Sequence, residues 1–531
     1  MKNFEENGVW FLPENPDREI QGTLTFSPES GALLSLIDQL IPPTSVEDLH
    51  DAMDGKSYET VNGYFEKGTK VTLYKCRQRG RLGTGLQISK LDVAYVIVDH
   101  HFKSLEEIQL KGAAVKYKNL EEWVGAPNLI IKGDLNDQGT GMKKIVVEQE
   151  AQEVIELGIM KKFKLKLLDS LITPQKIQFH NLFHSGYSSV KLEESKEVMF
   201  VSDEWSRFEE LLEVIHSFQD FLTFATARIT YPTQIKAYLT VKEQQEVSPT
   251  LMEKIAFFTS REQVNTEEGF QAAVSEIKKN HNPQIEEVDK PVQISIYFQS
   301  RSVFLNEKKY DYSDVLSRFQ DIRDNPEVIL ETYCKMIDDC KPVTDLYLGL
   351  SYVPQRYIND IFFALVQSVE AFHRIAFQDG KYPNKVAKIA RKAMKNAIPQ
   401  KPEEYGMENT EENQKYIKNF CDYLREHSRF SHEYFLNERI RLLVEHHKDC
   451  FPDVFLNSEE DQEQFSKKVI ATRGAGVHPS KEGTEKENVA KGADLRALIR
   501  QLKIFLEICL LRKTGFEPSH VKSLISKKYN F

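Results

Sequence analysis

Apolar residues alternate with polar ones along most of the first 305 residues. In the segment REIQGTLTF, Ile20, Gly22, Leu24 and Phe26 are spaced two apart, which is the period of a β-strand with one buried face. The same alternation recurs in short segments separated by turn-forming residues: VTLYKC, DVAYVIVD, NLIIKGD, KKIVVE, KFKLKLL and QISIYF. One amphipathic helix interrupts them, with Leu211 and Ile215 on its apolar face. This part is predicted to be a β-rich module, a sandwich or barrel with an added helix.

From about Asp311 onward the apolar period becomes helical. In RYINDIFFALVQSVEAFHRIAF, Ile358, Phe362 and Leu365 recur at helical spacing. Further helices are predicted at PNKVAKIARKAMKNAIPQ, in a long stretch after the acidic loop PEEYGMENTEEN, from about Ser458, and at DLRALIRQLKIFLEICLLRKTG. The pattern predicts an all-α bundle of four or five helices.

The predicted fold class is therefore α+β. We expect a β-rich module over residues 1–305, a helical connector over 306–350 and a helical bundle over 351–531. A length of 531 residues is consistent with several domains.

Composition narrows the class of protein. The formal net charge of −10 argues against coating nucleic acid or an anionic membrane by bulk charge. No apolar run approaches the roughly 18 residues of a membrane span, and the first residues lack the pattern of a signal peptide. The six cysteines form no CxxC pair, which favours neither a zinc site nor a disulfide framework. We expect a cytoplasmic protein with no metal, no cofactor and no membrane partner.

An arginine sits where an apolar residue is expected in the segment FSKKVIATRGAGVHPSKEG. Phe465, Val469 and Arg473 are spaced i, i+4, i+8 on one helical face. A guanidinium cannot lose its proton and is costly to bury without an anion. Arg473 is therefore expected to bind a negatively charged group.

The spacing from Arg473 to His478 is R-x4-H. The glycines between them are expected to end the helix and to bring His478 within one turn of Arg473. Such a pair suits attack on a phosphodiester, because histidine can transfer a proton near neutral pH and arginine can neutralise charge on the phosphoryl oxygens. In RNA the 2′-hydroxyl supplies the nucleophile, so no metal is needed. The alternative is a helix-terminal arginine bound to a carboxylate beside a surface histidine.

Three segments together resemble a HEPN domain of the type found in ApeA, a bacterial anti-phage protein. They are FFALVQSVEAFHR as a first long helix, ATRGAGVHP as the catalytic motif and LRALIRQLKIFLEICLLRKTGF as a closing helix. The opening GVWFLPENPDREIQGTLTF resembles the start of the N-terminal module of those proteins. The resemblance implies a metal-independent endoribonuclease that dimerises or forms a larger homo-oligomer and cleaves tRNA in the anticodon loop. It implies that Arg473 stabilises the transition state and that His478 transfers protons.

The resemblance also points to supporting residues. The position after the arginine is often polar in this family, and here it is Gly474. A polar residue of the first long helix often faces the motif, which makes Glu370 and His373 candidates. The alternative for both is a solvent-facing polar side chain.

A basic segment offers a surface for RNA. From Lys381 to Lys401 the chain carries seven basic residues and no acidic one. The predicted RNA-binding residues are Lys385, Lys388, Arg391, Lys392 and Lys395, with the lysines on the helical face opposite Val386 and Ile389. The alternative is a solvated charged face.

Two rival functions stay open. One is a non-catalytic HEPN-like module that binds RNA or a phage protein. The other is a metal-dependent phosphoesterase at Asp99-His100-His101, although a turn at the end of a strand is the favoured interpretation of that sequence. In the nuclease hypothesis, the N-terminal module senses an infection signal, such as a phage protein, and restrains the nuclease.

Overall fold

The fold is seen in a computed structural model of the chain. It describes residues 3–42, 56–79, 89–125, 129–135, 142–149, 154–172, 193–247, 284–299, 315–353, 356–377, 381–427, 433–477 and 488–531.

The first six strands close into a barrel. They are β1 (Phe4–Leu12), β2 (Asn15–Ser27), β3 (Gly31–Leu36), β4 (Ser57–Phe65), β5 (Lys70–Gln78) and β6 (Ser89–Val98). Neighbouring strands are antiparallel in the order β6–β3–β2–β1–β4–β5, and pairing of β5 with β6 completes the ring. Ile20, Leu24 and Phe26 all point into the apolar interior around Trp10. The alternation predicted for this segment is confirmed.

A second run of antiparallel strands continues from β6. It consists of β7 (Gln109–Tyr117), β10 (Ile155–Met160), β11 (Phe163–Ile172), β12 (Glu193–Arg207), β13 (Pro232–Val247) and β14 (Gln284–Phe298). Their order is β14–β13–β7–β12–β11–β10, and β14 pairs with the end of β6. A separate hairpin is formed by β8 (Leu129–Leu135) and β9 (Met142–Gln149). The short helix α1 (Leu120–Val124) and the predicted helix, α2 (Phe208–Thr226), pack against β12.

The rest of the described chain is helical. Its helices are α3 (Phe319–Ile322), α4 (Pro326–Asp339), α5 (Lys341–Tyr352), α6 (Ile358–Ala376), α7 (Asn384–Ala397), α8 (Glu411–His427), α9 (Leu436–His447), α10 (Glu459–Val477), α11 (Gly492–Lys513) and α12 (Pro518–Tyr529). The predicted all-α character is confirmed, but the number of helices is larger than four or five. The single long stretch expected after the acidic loop is two helices, α8 and α9, and α12 was not predicted.

One apolar core joins the two halves of the chain. It runs from the second sheet through α2 into α5, α6 and α11. At the junction, the hydroxyl of Tyr352 at the end of α5 donates a hydrogen bond of 2.5 Å to Asp220 on α2. On the other side, the edge strand β10 is covered by α4, where a Cβ on Gly158 would come within 3.0 Å of the Glu327 backbone. The expected boundary at residue 305 lies outside the described residues.

A buried carboxylate fixes the last two helices. Glu507 on α11 has no exposed surface and accepts hydrogen bonds from Tyr347 (2.8 Å), Lys528 (2.9 Å) and Tyr529 (2.8 Å). Burial alone would raise its pKa, but Lys528 and Lys503, with the hydrogen bonds, bring the pKa below its usual value. The carboxylate therefore links α11 to α5 and α12 as an ion.

Candidate functional site

Arg473 lies on α10 at the edge of the core, where its side chain is partly exposed. Phe465 and Val469, on the same helical face, are buried, whereas the Arg473 side chain is 41% exposed. The helix does not end at the glycines, as the sequence predicted, but continues through both of them to Val477. Glycine lowers helix stability without forbidding the helical conformation, and here neither glycine has a positive φ.

Arg473 binds a carboxylate of the facing helix. Its Nη2 donates to Glu370 Oε2 on α6 at 3.2 Å. The Glu370 side chain is 22% exposed. Glu370 is therefore not a solvent-facing polar residue, and its side chain contacts the arginine of the predicted motif. The pair leaves part of the guanidinium open to a second anion from outside.

The two glycines of the motif differ in their surroundings. A Cβ on Gly474 would meet no atom within 4 Å, so a larger side chain has room there. A Cβ on Gly476 would come within 3.0 Å of the ring of Phe363 on α6. Gly476 thus lets α10 approach α6 at the end of the helix, three residues beyond Arg473.

His373, one turn after Glu370, is fully buried and not solvent-facing. Its Nδ1 lies 3.2 Å from Nη1 of Arg439 on α9. Because a guanidinium only donates, Nδ1 must be the acceptor and the proton must sit on Nε2. Burial, Arg439 and Arg374 lower the pKa of His373 to about 4, so the ring is neutral near pH 7. Its Nε2–H is buried and has no hydrogen-bond partner in the described part of the chain.

Arg439 is the functional candidate that the sequence hypothesis missed. It is 4% exposed and also donates to the Tyr434 carbonyl at 2.9 Å and to Glu433 at 3.1 Å. Burial and Arg374 lower its pKa, while Glu433 and Glu370 act in the opposite direction. Glu370 is thus stabilised by the positive charges of both Arg473 and Arg439. The sequence could have indicated Arg439, because this charged residue falls between Leu436 and Leu443 on the buried face of α9. Arg473 follows Val469 in the same way on α10.

The structure brings together Arg473, Glu370, His373 and Arg439. His478, the second residue of the predicted motif, lies outside the described residues.

Helix α7 carries the predicted RNA-binding lysines on an exposed surface. Lys385, Lys388, Lys392 and Lys395 are all exposed, while Arg391 is half-buried and donates to the Ala387 carbonyl at 3.2 Å. On the opposite face Val386 and Ile389 are 53% and 62% exposed, while Ala387 is buried.

The segment just before α7 lies close to the four side chains of Arg473, Glu370, His373 and Arg439, which we call the polar cluster. Lys381 forms an ion pair with Glu438 at 2.5 Å, and Glu438 is the neighbour of Arg439 on α9. The basic helix therefore starts next to the residues that surround Glu370.

The Asp99-His100-His101 sequence forms a turn after β6. His101 Nε2 is 2.8 Å from the Gly63 carbonyl, which can only accept, so this nitrogen is a donor and not a metal ligand. In the described part of the chain no group of three or more His, Cys, Asp or Glu could hold a metal ion. The favoured interpretation as a strand-end turn agrees with this geometry.

Comparison with family models identifies the class of the protein. Residues 363–519, which span α6 to α11, match the model described as Apea-like HEPN. HEPN domains are generally ribonucleases, typically act on RNA and often dimerise. Residues 363–519 therefore form a HEPN domain.

The N-terminal half gives the more particular assignment. Residues 5–269 match the model described as ApeA N-terminal domain 1. Together the two matches show that the chain is an ApeA-like protein with a C-terminal HEPN domain, the architecture of a nuclease-type anti-phage protein. Comparison with the curated proteins and with the solved structures gave no match. Over the residues described, no helix is long and apolar enough to cross a membrane.

Proposed function

We propose that this protein is a metal-independent endoribonuclease that cleaves tRNA in the anticodon loop during phage infection. The proposal is supported by the HEPN assignment and, above all, by the 3.2 Å pair between Arg473 and Glu370. The pair fixes a partly exposed guanidinium on the helix that leads to His478.

In the proposed reaction His478 accepts the proton of a ribose 2′-hydroxyl. The 2′-oxygen attacks the adjacent phosphorus while the bond to the 5′-oxygen breaks, and the leaving oxygen takes up a proton. The products carry a 2′,3′-cyclic phosphate and a 5′-hydroxyl. Arg473 neutralises the charge that grows on the non-bridging oxygens.

Glu370 is proposed to orient Arg473. A guanidinium has five N–H groups, so Glu370 can occupy one edge while a phosphate binds the other. Because Arg439 also acts electrostatically on Glu370, the carboxylate stays compensated if Arg473 shifts towards the phosphate. We assign no supporting role to Gly474, which has no side chain to offer.

The lysines of α7 are proposed to bind the RNA backbone. They start beside the polar cluster and lie in a segment with no acidic residue. The nuclease is further proposed to act as a homodimer or larger assembly, and the module over residues 1–305 to sense a phage protein. The shared core around α2 gives that module a rigid contact with α5, the helix before α6.

The test is cleavage of purified tRNA in the presence of a chelator by wild-type protein, Arg473→Ala and His478→Ala, with phage-infected extract added as a source of the trigger. We expect chelator-resistant cleavage that leaves cyclic phosphate ends and is lost in both variants. Chelator-sensitive cleavage that survives His478→Ala would contradict the proposal.

A non-catalytic HEPN-like module is the second candidate. In this candidate Arg473 holds Glu370 as a structural ion pair and takes no part in a reaction. Binding of tRNA without cleavage, with and without the extract, would select it.

A further inference from the structure

Exposed apolar side chains are concentrated in one part of the HEPN domain, between residues 382 and 435. The exposed large apolar residues of this segment are Tyr382, Val386, Ile389, Met394, Tyr405, Tyr416, Phe420, Tyr423 and Phe435. A contiguous exposed apolar patch often marks a binding site, so those of these residues that share one helical face are candidates for such a site.

Three of them form a line along α8. Tyr416, Phe420 and Tyr423 are spaced i, i+4, i+7 and are 65%, 41% and 55% exposed. The helix is held instead by Ile417 and Cys421, each one position further on and about 100° around the helix, which are 2% and 0% exposed. We call Tyr416, Phe420 and Tyr423 the aromatic stripe. The aromatic stripe faces outward because its neighbours Ile417 and Cys421 pack inward. The stripe does not lie at a frayed end of the helix.

The aromatic stripe is joined to the basic helix. The thiol of Cys421, next to Phe420, donates to the Pro399 carbonyl at 3.2 Å, and Pro399 follows the end of α7 by two residues. The hydroxyl of Tyr405 donates to the same carbonyl at 3.1 Å. The last lysine of the basic face, Lys395, is four residues before this junction. The middle of α8, at Phe420 and Cys421, therefore lies close to the end of the segment that carries the lysines.

Charge decides which occupant suits this surface. The segment from Lys381 to Lys401 has seven basic residues and no acidic one in a chain of net charge −10, so the complement of α7 is an anion. Helix α8 carries acidic and basic residues in similar number, so its exposed rings and not its charge would contact a ligand. Aromatic rings on an exposed helix beside such a row match the two needs of a single strand, which are phosphate neutralisation and stacking of bases. A duplex would not use the stripe, because its bases are already stacked on one another.

We propose that the aromatic stripe stacks unpaired bases of a single-stranded RNA whose phosphates lie along α7. The proposal rests on the proposed function and specifies its substrate as RNA with exposed, unstacked bases. The aromatic stripe lies outside the polar cluster around Arg473, and it selects RNA that has unstacked bases.

The test is RNA binding by the full chain with His478→Ala, which keeps the RNA intact. A fluorescently labelled RNA of mixed sequence is titrated as a single strand and as a duplex, over a range of salt concentrations. Tyr416→Ala and Phe420→Ala are compared with Tyr416→Phe and Phe420→Tyr, which keep a ring. Trp205→Ala, which removes an exposed ring from β12, is the matched control.

We expect each alanine variant to bind the single strand about 5- to 150-fold more weakly. Duplex binding should hardly change, and the conservative variants and Trp205→Ala should bind normally. The slope of log K against log salt should stay constant in these variants, because no phosphate contact is lost. In Lys388→Glu/Lys392→Glu the slope should fall by about 1.4, from two lost contacts.

Three results would overturn the proposal. Alanine variants that bind RNA normally but lower the mass of the assembly in solution would show that the stripe holds a second copy of the chain. Normal RNA binding with an unchanged mass would show that the stripe serves neither purpose. A parent protein that binds no RNA either alone or with phage-infected extract would end the proposed function as well, and this distinguishes the failure of the two proposals.

Discussion

The approach of α10 to α6 depends on the absence of one methyl group. Gly474 and Gly476 lie in the last turn of the same helix, and replacing either by alanine should stabilise that helix by about 0.5–1 kcal/mol. At Gly474 nothing opposes this gain, because no atom lies within 4 Å of the new Cβ. At Gly476 the Cβ would enter the ring of Phe363, and such overpacking costs about 1–3 kcal/mol.

The two variants should therefore differ by about 1–3 kcal/mol in the free energy of unfolding. The measurement is urea unfolding followed by helical circular dichroism, for each alanine variant alone and combined with Phe363→Ala. Removing the ring should abolish the penalty at Gly476 and leave Gly474→Ala unaffected. RNA cleavage by Gly476→Ala should also fall, because moving α10 away from α6 lengthens the contact between Arg473 and Glu370. If Gly476→Ala is as stable as Gly474→Ala in the presence of Phe363, the packing described for these helices is wrong.

Two further predictions concern the buried ionisable side chains of Glu507 and His373. Glu507→Gln should destabilise the protein by about 3–5 kcal/mol, because the nearly buried Lys528 loses its counter-ion. Since the pKa of Glu507 is lowered by folding, the difference from wild type in urea unfolding should be complete above pH 5 and shrink as the pH falls below about 4.5. A constant difference down to pH 3 would contradict an ionised Glu507. For His373, whose pKa falls to about 4 on folding, wild-type stability should drop as the pH is lowered from about 6.5 to 4, because the unfolded chain binds the proton more readily. His373→Gln should flatten this slope, and an equal slope in both proteins would show that the imidazole is not buried in its neutral form.

The strands could be predicted because their apolar period is local. Val71 and Leu73 in β5, or Ile294 and Ile296 in β14, alternate with polar residues and are buried. Closure of the barrel could not be predicted. It depends on register between β5 and β6, where Val71 faces Val98, and a pairing between separate segments leaves no periodic signal in either one.

The candidate site was only partly predictable. Arg473 stood out because a charged residue replaced an apolar one, and this logic also covers Arg439, to which it was not applied. The partner of Arg473 was among two candidates on α6, but the sequence alone could not separate Glu370 from His373. They are three positions apart on the helix, and only the packing of α9 decides that His373 contacts Arg439.

The exposed apolar face of α7 shows what helical periodicity cannot predict. The spacing of Val386 and Ile389 is that of a helix packed on a core. Their exposure depends on the neighbours of the helix, which buries only Ala387 among the described residues of that helix. Periodicity identifies an apolar face, but it does not say whether that face is covered within the chain.

The central claim is that an RNA 2′-hydroxyl is the nucleophile and that this protein activates it without a metal. The most direct measurement is cleavage, under the activating conditions and with a chelator present, of two RNAs that differ by a single 2′-deoxy substitution at the cleaved nucleotide. The account predicts that the all-ribose RNA is cut at that position and that the 2′-deoxy RNA is not. Equal cleavage of both RNAs at that position would contradict it.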